Sequence, residues 1–191
     1  MTSCYKTMSD LPHIPEDLVQ ACMHRAHNDT NDNATNIHAY TARTLVKNKK
    51  SFPSIKVPRY DVSDILKDWI SANITDQWRN IGIATTVFDG TSNIHGAHAD
   101  GTRRYSLMYL LEVSNPDQYT KFYQEQGYPL YREPYATPLD LDKLDVLETV
   151  IVQPRTWSYL NVRILHGVEN IQGRRTSIQV DLDQDPFGVF V

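Results

Sequence analysis

The stretch HADGTRRYSLMYLLEV, residues 98–113, combines a pair of polar side chains with a run that is typical of a buried strand. His98 and Asp100 are two residues apart, so on an extended segment both side chains point to the same side. Residues 103–113 follow as a run dominated by apolar and aromatic residues, which favours β structure. The stretch therefore predicts a strand that directly follows a two-residue cluster able to bind a common ligand.

Further strand signals lie on both sides of this stretch. The sequence predicts strands at 81–88 (ending in the turn signal Asp89-Gly90), 119–124, 146–152, 157–166 and 175–183. Short strands separated by turns favour an antiparallel, mainly β core, for which a jelly roll, the double-stranded β-helix, is the natural candidate. The spacing of the strands alone does not distinguish it from other sandwiches.

Helical signals are confined to the N-terminal part. Pro15 through His27 has proline in its first turn and acidic residues next to it, and Asp61 to Ile74 has Asp61 or Ser63 as its cap. Apolar residues recur in the second segment at helical spacing, so we expect the helices to pack on one sheet. The prediction is one domain over 1–191, with a helical part at 1–79 and a jelly-roll core at 80–183. Residues 28–36 and the lysines at 47, 49 and 50 are predicted to form solvated loops.

His166 completes a set of candidate metal ligands with His98 and Asp100. It lies at the end of the predicted strand 157–166, directly before Gly167, and must therefore come from another strand. Two histidines and one carboxylate are the ligands that hold non-haem Fe(II) on one face and leave the opposite face open. The sequence thus predicts an iron site formed by His98, Asp100 and His166.

Four motifs together resemble one enzyme family: HAD at 98–100, RYSLMYLL at 104–111, HGV at 166–168 and GRRTSI at 173–178. They look like the 2-oxoglutarate/Fe(II)-dependent dioxygenases, and the prolyl-hydroxylase-like subgroup most of all, over residues 80–183. The resemblance implies that the triad binds iron. It also implies that Arg175, nine residues after His166, binds the far carboxylate of 2-oxoglutarate, with Ser177 completing the R-x-S pattern.

The resemblance also implies a hydroxyl from the strand after H-x-D. Tyr105, Ser106 and Tyr109 are candidates that alternation does not separate; Tyr109 is assigned with Arg175 and Ser177 to co-substrate binding. The tyrosine that the family often has ten residues before the first histidine is replaced here by Phe88.

Alternation along 175–182 supports an inward-facing Arg175. Arg175, Ser177, Gln179 and Asp181 alternate with the apolar or hydroxyl side chains of the even-numbered residues. A solvated polar face would give the same pattern, and the spacing from His166 favours the binding site instead.

Two further features of the core stay open. His95 is either a loop histidine or a contact for iron ligands or substrate, and Gly127 to Pro138 is the best candidate for a substrate-facing loop.

The function that the resemblance implies is hydroxylation of a C–H bond of an amino-acid side chain, in a protein, a peptide or a free amino acid. Fe(II) is the cofactor, 2-oxoglutarate and dioxygen are co-substrates, ascorbate is a stimulant, and succinate and CO2 are co-products. Two alternatives stay open: a non-catalytic jelly-roll module with a metal-binding, ligand-binding or structural role, and an oxygenase that acts on nucleic acid.

Composition and charge limit the classes of partner and the cellular location that we expect. The net charge of −4 and pI of about 5.9 disfavour nucleic acid as a partner. No apolar run is long enough for a membrane span, and the N-terminus lacks the apolar core of a signal peptide. With two cysteines, a disulfide framework is not expected. These observations predict a cytoplasmic protein with no membrane partner.

Overall fold

The computed structural model describes residues 3–28, 36–38, 57–88, 90 and 93–190. Within them lie two helices, α1 (Glu16–Asn28) and α2 (Asp64–Asn73), and a 3-10 turn at Leu141–Lys143. The strands are β1 (Tyr5–Thr7), β2 (Asn36–His38), β3 (Val57–Asp61), β4 (Trp78–Val87), β5 (His95–His98), β6 (Tyr105–Val113), β7 (Tyr119–Glu125), β8 (Leu144–Val150), β9 (Trp157–Asn161), β10 (Leu165–Glu169) and β11 (Arg174–Leu182).

The strands form two antiparallel sheets. The large sheet has the order β1-β9-β6-β11-β4-β3-β2, and the small sheet has the order β5-β10-β7-β8. From β4 to β11 the chain passes back and forth between the sheets: β4, β6, β9 and β11 lie in the large one and β5, β7, β8 and β10 in the small one. This alternation winds the chain into a double-stranded β-helix, so the prediction of a mainly β jelly roll is confirmed.

Both predicted helices are found, but α2 begins at Asp64 rather than at Asp61, because Asp61 is the last residue of β3. α1 follows Pro15 and has Glu16 and Asp17 in its first turn, where carboxylates offset the partial positive charge of the helix N-terminus. Ser63 caps α2, because its hydroxyl accepts a hydrogen bond from the backbone N–H of Leu66 at 3.3 Å.

The helices pack on the outer face of the large sheet. They bury Val19, Cys22, Leu66 and Ile70 against one face of this sheet. That face consists of odd-numbered residues of β4, β6 and β9 and even-numbered residues of β11, all directed away from the small sheet. The predicted packing of helices on one sheet is therefore found. The segment 1–79 is not only helical, however, because it also contributes β1, β2 and β3 to the large sheet.

Residues 157–166 do not form the single strand that the sequence predicts. β9 ends at Asn161 and β10 begins at Leu165, and the two strands belong to different sheets. The side chain of Asn161 accepts a hydrogen bond from the N–H of Arg163 at 3.4 Å, a local bond that asparagine offers to turns. His166 consequently does not lie on the same strand as residues 157–161.

Apolar side chains fill part of the space between the sheets. This inner cluster includes Met108 and Leu110 from the large sheet and Phe122 from the small sheet, all almost fully buried. A pocket lined by residues of both sheets occupies another part of the same space. The inner cluster thus supports the walls of that pocket.

Two predicted loops fall wholly or largely outside the described residues: the polar stretch at 28–36 and the lysine cluster at 47–50. Neither α1 nor α2, the helices of the described part, has the length and apolar character that a bilayer crossing requires.

Candidate metal centre

The structure brings His98, Asp100 and His166 together at one side of the pocket. His98 is the last residue of β5 and is the register partner of His166 on β10. Asp100 lies two residues after the end of β5, and two backbone hydrogen bonds hold its segment: Ala99 N–H to the carbonyl of Ala136 at 2.8 Å, and Asp100 N–H to that of Val162 at 2.8 Å. The two-residue spacing therefore has the effect predicted for an extended segment.

The three side chains are close and buried. Each offers one ligand atom, and these atoms lie within 4.8 Å of one another. Their residues are only 4% (His98), 6% (Asp100) and 8% (His166) exposed. The imidazole rings of the two histidines have centroids 4.6 Å apart, and Nε2 of His98 lies 3.3 Å from Oδ1 of Asp100. The arrangement suits a single ion bound by two nitrogens and one oxygen.

Backbone carbonyls orient both imidazoles. Nδ1 of His98 lies 2.8 Å from the carbonyl oxygen of Gly96, and Nδ1 of His166 lies 3.0 Å from that of Ile164. A carbonyl can only accept, so Nδ1 carries a proton in each ring, and in the neutral form of such a ring the free lone pair is on Nε2. This is how histidine ligands of metals are usually held.

The surroundings also set the charge states of His166 and Asp100. Burial and, to a smaller extent, the neighbouring His98 lower the pKa of His166 to about 4, so its imidazole is neutral at physiological pH. Burial would raise the pKa of Asp100, but the guanidinium of Arg103 and the nearby histidines more than offset it and hold the pKa well below its usual value. Neutral imidazoles and an ionised carboxylate are the forms that bind metal.

Arg175 and Ser177 lie in the same pocket as the triad. They project from β11 in the large sheet, while the triad belongs to the small sheet and the segment after it. Nη2 of Arg175 contacts Sδ of Met108 at 3.6 Å, and its Nε is shielded from solvent with no hydrogen-bond partner among the described residues. Burial lowers the pKa of Arg175 to about 10, so the group stays charged. Among the described residues this partly buried cation faces no anion that would offset the cost of removing its charge from water.

Alternation along β11 is as predicted. Arg175, Ser177 and Gln179 line the pocket, whereas Ile178 and Val180 pack against the helices. Arg174, on the other face, donates instead to the carbonyl of Ala26 in α1 at 3.1 Å.

Tyr109 does not reach the pocket, and its assignment to co-substrate binding is wrong. Its ring belongs to the outer core on the helix side, where its hydroxyl lies 3.2 Å from Nδ1 of His13 and its ring packs on Trp157. Residues two apart on β6 share a face, so Tyr105 points the same way, and Ser106 is the candidate that lines the pocket.

A β-bulge turns His95 into the pocket wall. His98 pairs with His166 and His95 with Val168, so three steps along β5 match two along β10. The bulge lets residues 95 and 98 face the same side, and their ring centroids are 4.5 Å apart. His95 thus lines the pocket beside the triad rather than standing in a loop. Phe88, by contrast, is 39% exposed and is not among the pocket residues.

The loop from Gly127 to Pro138 is held by one buried carboxylate and supplies Tyr135 to the pocket. Glu125 accepts hydrogen bonds from the N–H groups of Leu139 and Asp140 at 2.8 and 2.7 Å and from Arg132 at 2.6 Å. Tyr135 lies against Gly101, where a Cβ would come within 2.1 Å of its ring. Arg132 is therefore a structural anchor of the loop.

Three further charged residues at the site were not found from the sequence. Arg103 contacts Asp100 and Asp181, and Arg59 contacts Asp181 in turn. They come from β3, β11 and the turn before β6, and no short motif links such distant positions. Only the position of Asp181 on the pocket face of β11 could be expected from alternation.

The side chains fit the groups that the motifs imply. Nitrogen and carboxylate donors on one side of an open pocket suit a divalent transition metal such as Fe(II). The guanidinium of Arg175, which has no anionic partner among the described residues, and the hydroxyl of Ser177 on the same strand face suit a carboxylate.

The chain matches no family model and no curated protein. Among solved structures it is similar to a Pseudomonas putida prolyl-4-hydroxylase, with 11% identity and a TM-score of 0.47 over 95% of this chain and 93% of the other. It is also similar to AviO1 from Streptomyces viridochromogenes Tue57, with 13% identity and a TM-score of 0.47 over 97% of this chain and 91% of the other. The chemistry proposed below rests on the side chains of the site.

Proposed function

We propose that this chain is an Fe(II)/2-oxoglutarate-dependent dioxygenase that hydroxylates a C–H bond of an amino-acid side chain in a protein, a peptide or a free amino acid. One observation carries the proposal: a His-Asp-His ligand set and a guanidinium without an anionic partner among the described residues share one pocket. The first suits a metal ion with open positions, and the second suits an acid that reaches the same space.

The triad would hold the iron through Nε2 of His98, Nε2 of His166 and a carboxylate oxygen of Asp100. Because carbonyl groups fix Nδ1 in both rings, the imidazoles need little reorganisation when the ion binds. Three protein ligands leave about three positions of an octahedral ion for other molecules.

Arg175 would bind the carboxylate of 2-oxoglutarate that is remote from the metal. A guanidinium can donate two parallel hydrogen bonds to a carboxylate, and the hydroxyl of Ser177 can donate a third. Arg175 and the triad line one pocket, in which β11 belongs to one sheet and the two histidines to the other, so a molecule with an acidic group at each end would contact both.

When bound, iron and 2-oxoglutarate would supply the oxidising chemistry, in which dioxygen is consumed, 2-oxoglutarate yields succinate and CO2, and a C–H bond is hydroxylated. The chain's own residues orient and shield these groups. Tyr135 and Thr102 line the pocket where the loop 127–138 meets the segment after β5, and this is where we place the acceptor.

Succinate formation tests the proposal without knowledge of the acceptor. Purified protein with Fe(II), ascorbate, 2-oxoglutarate and air should release succinate slowly, and an acceptor should increase the rate. His98→Ala should abolish the reaction because two ligands do not maintain the facial site. His24→Ala, at an exposed position of α1, is the matched control and should behave as wild type.

A wild-type chain that binds neither Fe(II) nor 2-oxoglutarate would contradict the proposal. A non-catalytic jelly-roll module would then be the better account.

A further inference from the structure

Four buried charges of alternating sign extend from the ligand set into the large sheet. Nε of Arg103 donates to Oδ2 of Asp100 at 2.5 Å, and Nη1 of Arg103 donates to Oδ1 of Asp181. Asp181 also accepts two hydrogen bonds from Arg59, at 3.1 and 3.2 Å. We call this series, Asp100–Arg103–Asp181–Arg59, the charge network of the site.

Every member of the charge network is largely shielded from water. The side chains of Arg103, Asp181 and Arg59 are 10%, 4% and 9% exposed, and that of Asp100 is 9% exposed. Desolvating four charges is costly, and replacing buried ion pairs by apolar residues often leaves stability unchanged or improves it. Stability is therefore a weak reason for this arrangement, and its contact with a candidate metal ligand suggests another.

In the charge network the two oxygens of Asp100 have different neighbours. Arg103 holds Oδ2, while Oδ1 lies on the side of His98, 3.3 Å from its Nε2. The carboxylate plane is thereby fixed, with one oxygen directed to the ligand set and the other to a guanidinium.

Arg103 is itself held in place. Its Nη1 contacts Oε1 of Gln179 at 3.1 Å as well as Asp181, and the paired bonds from Arg59 restrict rotation of the Asp181 carboxylate. The guanidinium next to the candidate metal centre is thus kept on Asp100 by residues from two strands, β3 and β11.

We propose that Arg103 is a positioning residue that restricts Asp100 to one-oxygen metal coordination, and that Asp181 and Arg59 hold Arg103 in the orientation this requires. The inference rests on the proposed function, because it presumes that the triad binds a metal. Release of Oδ2 would let the carboxylate rotate or bind the metal through both oxygens, which would alter the geometry of the site and the positions left for the co-substrate.

Co(II) binding tests the inference independently of turnover. Wild type should bind Co(II) with a visible absorption spectrum, and His98→Ala should lose that binding. Arg103→Gln should bind Co(II) about 10- to 100-fold more weakly. At saturating Co(II) its spectrum should also differ from that of wild type, which a purely structural role would not cause. The matched control is Arg104→Gln, the exposed neighbour, which should match wild type in both respects.

Asp181→Asn tests whether Asp181 acts on Asp100 by holding Arg103 in place. We expect a smaller loss of Co(II) affinity than for Arg103→Gln, and the double variant should bind no more weakly than Arg103→Gln, since both changes act through one orientation. Circular dichroism melting establishes that each variant is folded. If Arg103→Gln does not fold, Arg103→Lys, which keeps the charge but not the fork of donors, is judged by the same affinity and spectrum.

The two proposals fail in different ways. Wild type that binds no Co(II), or His98→Ala that binds it normally, overturns the proposed function and this inference with it. Wild-type binding that depends on His98, together with a folded Arg103 variant of unchanged affinity and spectrum, overturns the positioning role alone. Additive losses in the double variant would overturn the part assigned to Asp181.

Discussion

Replacing Arg175 by alanine should abolish most 2-oxoglutarate binding while leaving the fold intact. Arg175 has no ion pair among the described residues, where its guanidinium makes one polar contact, from Nη2 to Sδ of Met108. Its removal therefore breaks no charged contact in the fold, and the melting temperature should not fall appreciably. Bound 2-oxoglutarate would lose the partner of one carboxylate in a buried pocket, which costs about 2–5 kcal/mol. That corresponds to a loss of about 30-fold to several thousand-fold in affinity.

Isothermal titration of the Mn(II)-loaded protein with 2-oxoglutarate, without oxygen, measures this loss. Arg174→Ala is the matched control, because Arg174 is adjacent on β11 but faces α1 and donates to the carbonyl of Ala26. Arg175→Lys should fall between wild type and Arg175→Ala, since lysine keeps the charge but cannot donate two parallel hydrogen bonds. Equal losses for the alanine variants at 174 and 175, or none at 175, would refute the placement of the carboxylate.

Three further predictions concern the fold around the site. Gly167→Ala should lower both the melting temperature and the affinity for Co(II), because a Cβ would lie 2.7 Å from the backbone oxygen of His95 and push β5 away from β10; unchanged values would contradict this. Burial would raise the pKa of Asp181, but the two guanidinium groups that contact it lower the pKa by more, so the folded pKa lies below the unfolded one. The contribution of Asp181 to stability is thus present above about pH 4 and is lost as the pH falls through the folded pKa. The free energy of unfolding of Asp181→Asn, measured with urea, should therefore depend less on pH in that acidic range than that of wild type. An unchanged pH dependence would contradict the contacts of Asp181 with the two guanidinium groups. Burial raises the thiol pKa values of Cys4 and Cys22 to about 11, so a thiol reagent at pH 8 should react far more slowly with native than with unfolded protein, and fast reaction in the native state would show that these residues are accessible.

The sequence was sufficient for features carried by short-range patterns. Two-residue spacing placed His98 and Asp100 on one side of an extended segment, and alternation along 175–182 put Arg175 and Ser177 on the pocket face of β11. Ser63 as cap of α2 follows from the same kind of local rule, because its partner is three residues away.

Features that depend on pairing between distant strands were not predictable in this way. The turn after Asn161 moves the chain from one sheet to the other within an apolar run, which hides the boundary between β9 and β10. Alternation on β6 gives two possible faces, and only packing against α1 and Trp157 directs Tyr109 outwards. The bulge that turns His95 inwards is a mismatch between β5 and β10, so it has no signature in either strand alone.

The two halves of the site belong to different sheets, so under the proposed function the inner cluster would help to select among acids of different length. His98 and His166 are fixed to the small sheet and Arg175 to the large one, and side chains such as Met108 and Phe122 set the gap between them. Packed sheets keep a nearly constant separation because their interdigitated side chains resist compression. Diacids one carbon shorter or longer than 2-oxoglutarate should therefore bind less well, and a change of volume at position 122, which contacts neither carboxylate, should shift the preferred chain length.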